Sequence, residues 1–370
     1  MHDFLKDVGA PATAATPNSD MIKVVVPVAT AERLLHTEYH RWTHAPSGQD
    51  VARTTGYSLP HAVAKHVAAV APTVQFPSHL APKVGASSPH AVLNTPKSLR
   101  KLYGVDETQG KAGTVKQAVT GFLGQRFSPA DKSEFDTLFM NSTTLGYNIT
   151  NVTITLKGND GGASKLGRIE SMLDAEYMPA MGANIATEFW GFKGRAPSEP
   201  DNEPFLDWLQ LVSTTSDADV PKLFSTSYGE DEDLTAHDYA DRINAEFMKA
   251  GARGISLLFA SGDSGANCVA HGSGPDLMYA NWPAASPYVT SVGGTTGGGG
   301  GGGKPRRAEG AVGLSSGGFS DRYPRPSWQA AAVGAYTSSN ASLPPAHFYN
   351  ATSFAHGRAF PDIAAQVAPP

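Results

Sequence analysis

From about residue 91 onward, short apolar runs alternate with longer amphipathic ones. Strand-like runs fall at 151–155, 184–190, 223–228, 255–260 and 288–292, and helical spacing marks 168–181, 203–212 and 234–250. In the last of these, Tyr239, Ile243 and Phe247 recur at four-residue intervals, with Asp233 as the expected cap and Gly251 as the expected stop. Alternation of this kind predicts an α/β fold, a doubly wound parallel sheet with helices on both faces. In such sheets ligands sit beyond the carboxyl ends of the strands.

Residues 1–88 have a different rhythm. A strand at 22–28, a helix at 31–35, strands at 38–42 and 51–57, and a helix at 60–70 opening on Pro60 follow one another. The order β-α-β-β-α suits a small α+β module of the split-βαβ kind. The Pro- and Ser-rich stretch 71–90 is the expected linker, so the division is 1–88 and 89–370. Gly297 to Gly303 is an uninterrupted glycine run, expected to be a loop insertion. Its end, Gly303-Lys304-Pro305, lacks the Ser or Thr and the helix that a phosphate-binding loop requires.

Composition narrows the partners. A net charge of -5 gives no basic footprint for nucleic acid, and no apolar run reaches the roughly 18 residues of a membrane span. The start, Met1-His2-Asp3-Phe4, lacks the basic-then-apolar order of a secretory signal. Against that, Asn141, Asn148, Asn151, Asn340 and Asn350 each head an Asn-x-Ser/Thr triplet, which favours a secretory route. The single cysteine, Cys268, builds no disulfide framework by itself.

Two places carry candidate chemistry. Glu170 and Asp174 stand four apart, which on a helix stacks both carboxylates on one face, with Ile169, Leu173 and Tyr177 on another. Two like charges so placed raise one pKa and can act as base and orienting partner in acid. Acids also gather in first helical turns because the helix dipole favours them, and spacing alone leaves both readings open. Asp263 follows the buried-looking strand 255–260 within Ser261-Gly262-Asp263-Ser264-Gly265. Protonated, it could donate to a developing oxyanion; the other reading is an acceptor in a strand-to-loop turn. Ser264 is a nucleophile candidate outside the Gly-x-Ser-x-Gly pattern. The 12 histidines include no His-Glu-x-x-His, and His237 and His271 read as surface residues.

Taken in order, several blocks resemble the sedolisin family of serine-carboxyl peptidases. They are 168–182, 203–209, Ser227-Tyr228-Gly229-Glu230-Asp231-Glu232, 251–254, 259–266, 283–295, 316–320, 323–328 and 357–362. Thr95 to Tyr103 resembles the start of the mature enzyme, and 1–88 the later part of the propeptide. The resemblance implies a subtilisin-like fold and an acid-active zymogen whose base is Glu170, with Asp174 orienting it and Asp263 as oxyanion donor. It implies peptide or unfolded protein as substrate, release of N-terminal tripeptides as one mode of action, and the chain's own propeptide as partner. It also implies a lysosomal, vacuolar or secreted acidic compartment. The family's nucleophile lies in Ser-Gly-Thr-Ser, which does not occur in residues 1–370. By the same resemblance the calcium ligands, and the cysteine that would pair with Cys268, are expected beyond residue 370. A chain truncated at both ends and inactive as it stands is therefore the expectation; a non-catalytic short isoform that binds peptides is the alternative.

Overall fold

The computed structural model describes residues 1–44, 49–74, 94–113, 115–160, 163–193, 203–266, 268–269, 277–297, 309–339 and 343–368. Most of the expected linker, the glycine run after Gly297, Asn340, His271 and the side chain of Cys268 lie outside these residues.

An eight-stranded sheet forms the centre. Its strands are β1 (Lys116–Gly121), β2 (Ile154–Lys157), β3 (Ala186–Gly191), β4 (Leu223–Thr226), β5 (Ser256–Ala260), β6 (Thr290–Thr296), β7 (Gly310–Ala311) and β8 (Ile363–Ala368). They lie in the order β7-β6-β5-β4-β1-β3-β2, with β8 also pairing β6. Every pairing is parallel except that of the short β7 with β6. Parallel neighbours need crossovers, and the helices that supply them cover both faces. The doubly wound sheet expected from the alternation is present.

Alternation of side chains along the strands divides the core into two layers. Ala118 and Trp190 point into one layer with Phe205, Trp208, Phe224, Phe247, Phe259 and Trp282. The next residue of β1 and the preceding one of β3, Val119 and Phe189, point into the other with Phe127, Ile154, Met172 and Ala175. Five helices matter here: α1 (Pro96–Leu102), α2 (Pro129–Phe139), α3 (Ile169–Met181), α4 (Phe205–Thr214) and α5 (His237–Ala252). The first layer lies under α4 and α5, the second under α3. The two layers hold the sheet rigid between them, which fixes where its carboxyl edge stands.

Arg100 of α1 is wholly buried. Its guanidinium donates to the carbonyls of Ala180 (2.8 Å) and Met181 (2.9 Å) at the end of α3, and to those of Val105, Asp106 and Thr108. A cation at a helix C-terminus meets the negative end of the dipole and satisfies carbonyls left without intrahelical partners.

Several expectations need correction. In α3, Ile169 and Leu173, placed on a face apart from the carboxylates, are 68% and 51% exposed, while Ser171, Met172, Ala175 and Pro179 pack inward. Only Tyr177 is partly covered, its ring against Phe135 of α2. Asp233 caps nothing, because it sits in a 3-10 turn and Ala236 occupies the N-cap of α5. That helix runs past Gly251 to Ala252. In the first 74 residues the strands form two separate antiparallel ladders, Ala12–Ala14 with Ile22–Val24 and His40–His44 with Gln49–Arg53, not one split-βαβ sheet. The helix expected over 60–70 is a single turn, His61–Ala64, after which bonds tighten to three-residue spacing.

The first of these ladders is tied to the sheet domain by Asp20. Its carboxylate meets Arg242 (2.8 Å) and Lys249 (2.7 Å) of α5 and accepts from Thr16 (2.6 Å). Partial burial raises the Asp20 pKa, but the bonds from Lys249, Thr16 and Arg242 outweigh it and hold the carboxyl below its usual range.

Candidate active site

Helix α3 begins beyond the carboxyl end of β2, so its first turn lies along the sheet edge where β-α-β units place their ligands. Ser171 pins that turn, donating from Oγ to the carbonyls of Arg126 (2.6 Å) and Arg168 (3.0 Å). Glu170 and Asp174 follow on the flank of the helix next to its buried face. Ser227, immediately after β4, donates from Oγ to Asp174 Oδ1 at 3.0 Å. Tyr228 anchors that segment. Its ring is buried, and its hydroxyl accepts from the Phe122 N–H at 3.1 Å, just past the end of β1.

Asp263 lies in the loop after β5, at the same edge of the sheet. Gly262 has φ +113°, and a Cβ there would stand 2.7 Å from both Asn281 Oδ1 and Ser316 Oγ. Only glycine allows this turn, which delivers the Asp263 backbone to the edge. Ser316 closes the loop: its N–H donates to the Gly262 carbonyl, and its Oγ accepts from the Ser264 N–H at 3.1 Å. No hydrogen bond from the Ser264 hydroxyl to a basic partner is present among the described residues.

The electrostatics link the three carboxyls. Burial first, then the charge of Glu170, push Asp174 up to about 8 against the opposing bond from Ser227. Asp174 Oδ2 is buried and has no partner among the described residues, as suits a neutral acid better than a carboxylate. Burial raises Glu170 as well; a hydrogen bond from Ser227 opposes the rise, and the charge of Asp263 adds to it. Asp263 is raised by desolvation, although its side chain reaches solvent. The structure thus brings Glu170, Asp174 and Asp263 into one electrostatic neighbourhood and adds Ser227. The signal for Ser227 was its position directly after a central parallel strand. A hollow of about 440 Å³ between Ile255, Tyr288 and Trp328 opens at the amino end of β5 and is separate from this site.

Protonation of the pair has a stability signature. A carboxyl whose folded pKa is raised stabilises fully below its unfolded value and loses that contribution as pH rises toward the folded value. For Asp174 the window runs from about pH 4 to about pH 8. Asp174→Asn cannot ionise, and should gain roughly 1–3 kcal/mol over the parent at pH 8 with little change at pH 4. Glu176, pushed up to about 7 mainly by burial, keeps a residual slope in both proteins. Thermal melts of the two proteins across this range give the comparison; parallel curves would contradict the assignment.

Comparison with known proteins adds the lineage. Residues 1–76 match the family model described as Pro-kumamolisin, activation domain. Over 98% of its length the chain is 37% identical to tripeptidyl-peptidase 1 of Rattus norvegicus and 38% identical to that of Mus musculus. The Homo sapiens protein is 36% identical over the same share. The chain is similar to tripeptidyl-peptidase 1 over nearly its whole length. It spans 63% of the length of these relatives. Among solved structures, a Pseudomonas sedolisin complexed with pseudo-iodotyrostatin superposes with a TM-score of 0.51, covering 75% of this chain and 72% of that one at 20% identity. That likeness concerns the fold. It agrees with the parallel sheet and flanking helices described above, and the activation-domain match falls on the two small ladders and short helices of the first 74 residues.

Proposed function

We propose that this chain carries the acid–base machinery of a sedolisin-class serine peptidase that hydrolyses peptide bonds in acid, acting in its full-length form through a Ser-Glu-Asp mechanism. The observation that carries this reading is the Glu170–Ser227–Asp174 cluster at the carboxyl edge of the sheet, coupled to Asp263. In this reading Glu170 takes the proton of the attacking hydroxyl and returns it to the leaving amine. Asp174, neutral in acid, orients Glu170 without competing for charge. Asp263, protonated, donates to the oxyanion as the tetrahedral intermediate forms. Carboxyls that hold protons well above their usual range suit an acidic compartment, lysosomal, vacuolar or secreted. Residues 1–88 would be the activation segment, held by the Asp20 clasp, and 89–370 the peptidase domain. Release of N-terminal tripeptides is the mode suggested by the relatives' name. The chemistry proposed for this site needs only the carboxyls and a serine, and no step is routed through the calcium that the resemblance implies.

The test assays the chain and its full-length form between about pH 3 and 7, on peptides with free and blocked amino termini, alongside a serine-directed fluorophosphonate label. Acid turnover, tripeptides released only from free termini, and one labelled serine are the expected results. Because Ser-Gly-Thr-Ser does not occur in residues 1–370, the labelled serine is mapped by mass spectrometry with Ser264 included. Peptides bound but never cut, with no serine labelled in either form, would favour the non-catalytic peptide-binding role.

A further inference from the structure

We infer that Glu232 is a positioning residue for Asp263: its carboxyl pins the strand Gly318–Pro324, and the residues leading into that strand cradle the loop on which Asp263 stands. The inference rests on the proposed role of Asp263. The cradle is a set of bonds between 312–316 and the loop after β5. The Ser316 N–H donates to the Gly262 carbonyl at 2.9 Å, and the Gly265 N–H to the Leu314 carbonyl at 2.9 Å. The Ser264 N–H donates to Ser316 Oγ at 3.1 Å, and the hydroxyls of Ser261 and Ser315 meet at 3.3 Å. Ser315 Oγ also accepts from the Gly294 N–H of β6 at 2.8 Å, which ties the cradle to the sheet. Asp263 stands between bonded neighbours on both sides, so its backbone follows 312–316.

Ladder pairing alone does not fix the strand that comes next. Phe319 faces Ala359 but Pro324 faces Gly357, so the register breaks between them. The N–H groups in the break turn to side chains instead. Glu232 Oε2 accepts from those of Asp321 (2.9 Å) and Arg322 (3.3 Å), and Oε1 accepts from Ser320 Oγ (2.6 Å). Ser320 Oγ accepts in turn from the Tyr323 N–H at 2.7 Å. Glu232 and Ser320 are buried, so a donor released here loses its partner without gaining bulk water. Without Glu232 the break is free to slide, and a slip of one residue carries Ser316 roughly 3.3 Å past Gly262.

Glu232 is itself anchored. Its N–H donates to the Ala280 carbonyl at 2.8 Å, beside the ladder of Glu230–Asp231 with Asn281–Trp282. Asn281 of that ladder donates to Asp231 Oδ1 at 3.2 Å and packs against Gly262. The segment that supplies Ser227 to Asp174 therefore also sets the Asp263 loop. The brace does not depend on charge. Burial raises the Glu232 carboxyl against the bonds from Ser320, Asp321 and Arg322. A proton on Oε1 turns the short bond round, donating to Ser320 Oγ, while Oε2 keeps both N–H groups.

The experiment compares amide hydrogen exchange in the parent, Glu232→Ala and Glu232→Gln. In Glu232→Ala the Ser264 and Gly265 N–H groups should exchange roughly 10- to 100-fold faster, by at least about ten times the gain at Val119 and Phe189 of the central strands. Glutamine, which accepts from the two N–H groups and donates to Ser320, should stay within about threefold of the parent. If Glu232→Ala fails to fold by circular dichroism, Ser320→Ala takes its place with the same expected direction. Ser264 and Gly265 gaining no more than Val119 and Phe189 overturns the inference, since that is a general loss of stability. In the active form, Glu232→Ala should lower kcat roughly 10- to 100-fold with KM within about twofold, and glutamine should rescue it. A loss confined to KM would make Glu232 a substrate-side residue and also overturn it. Exchange needs no turnover, so a loosened Asp263 loop with no peptidase activity in any form would leave the brace standing and remove only the functional reading.

Discussion

Glu170→Gln should lower kcat/KM of the active form at least about a thousandfold, with substrate affinity nearly unchanged. Glutamine keeps the shape of the side chain, but it cannot take a proton from an attacking hydroxyl. A positioned general base contributes roughly 10²–10⁴ in rate, and removing one member of a nucleophile–base unit costs nearly as much as removing all of it. The Glu170 carboxyl is poised for this role by the burial that raises its pKa. Asp174→Asn should cost less, because asparagine still accepts from Ser227 through the same oxygen. Steady-state kinetics in acid, with the rate of fluorophosphonate labelling as a second readout, measure both. A Glu170→Gln enzyme within tenfold of the parent would place the base elsewhere.

The largest structural effect should come from Arg100→Met, far from the carboxylates. Methionine fills a similar volume but donates nothing, so the carbonyls of Val105, Asp106, Thr108, Ala180 and Met181 lose the guanidinium together. Each buried acceptor left unpaired costs about 1–3 kcal/mol, and relaxation or an entering water offsets part of the sum. A loss of about 3–5 kcal/mol is expected, a large share of the roughly 5–15 kcal/mol that holds a domain folded. Arg100→Lys should recover part of it, since an ammonium supplies three donors from a single point. Urea denaturation measures the change. A loss below about 1 kcal/mol would show that the five bonds are dispensable. The end of α3 is one of the groups released, so amide exchange at Ala180 and Met181 should rise first.

Local sequence determined the elements whose chemistry is self-contained. Alternating apolar runs marked β3, β4, β5 and β6 because a strand buried between two helical layers is apolar over most of its length. Four-residue spacing put Glu170 and Asp174 on one side of α3, since that follows from helical pitch alone. The run of small residues around Asp263 marked a close turn after a strand, and Gly262 at φ +113° is that turn. Tertiary structure decided the rest. Central strand β1, Lys-Gln-Ala-Val-Thr-Gly, carries no long apolar run, and it is a strand because β3 and β4 pair with it on either side. Ile169 and Leu173 are apolar yet exposed, because α3 meets the sheet through Met172 and Ala175, a choice made by the neighbouring helices. The fates of Arg100 and Ser227 lay furthest from local reading. One is an ordinary basic residue until the end of a helix about 80 positions away arrives over it. The other is an ordinary serine until Asp174, 53 positions earlier, is brought within 3.0 Å. Periodicity reports which side of an element faces inward; it carries no information about which distant polar group will be there, because that depends on how the layers are stacked.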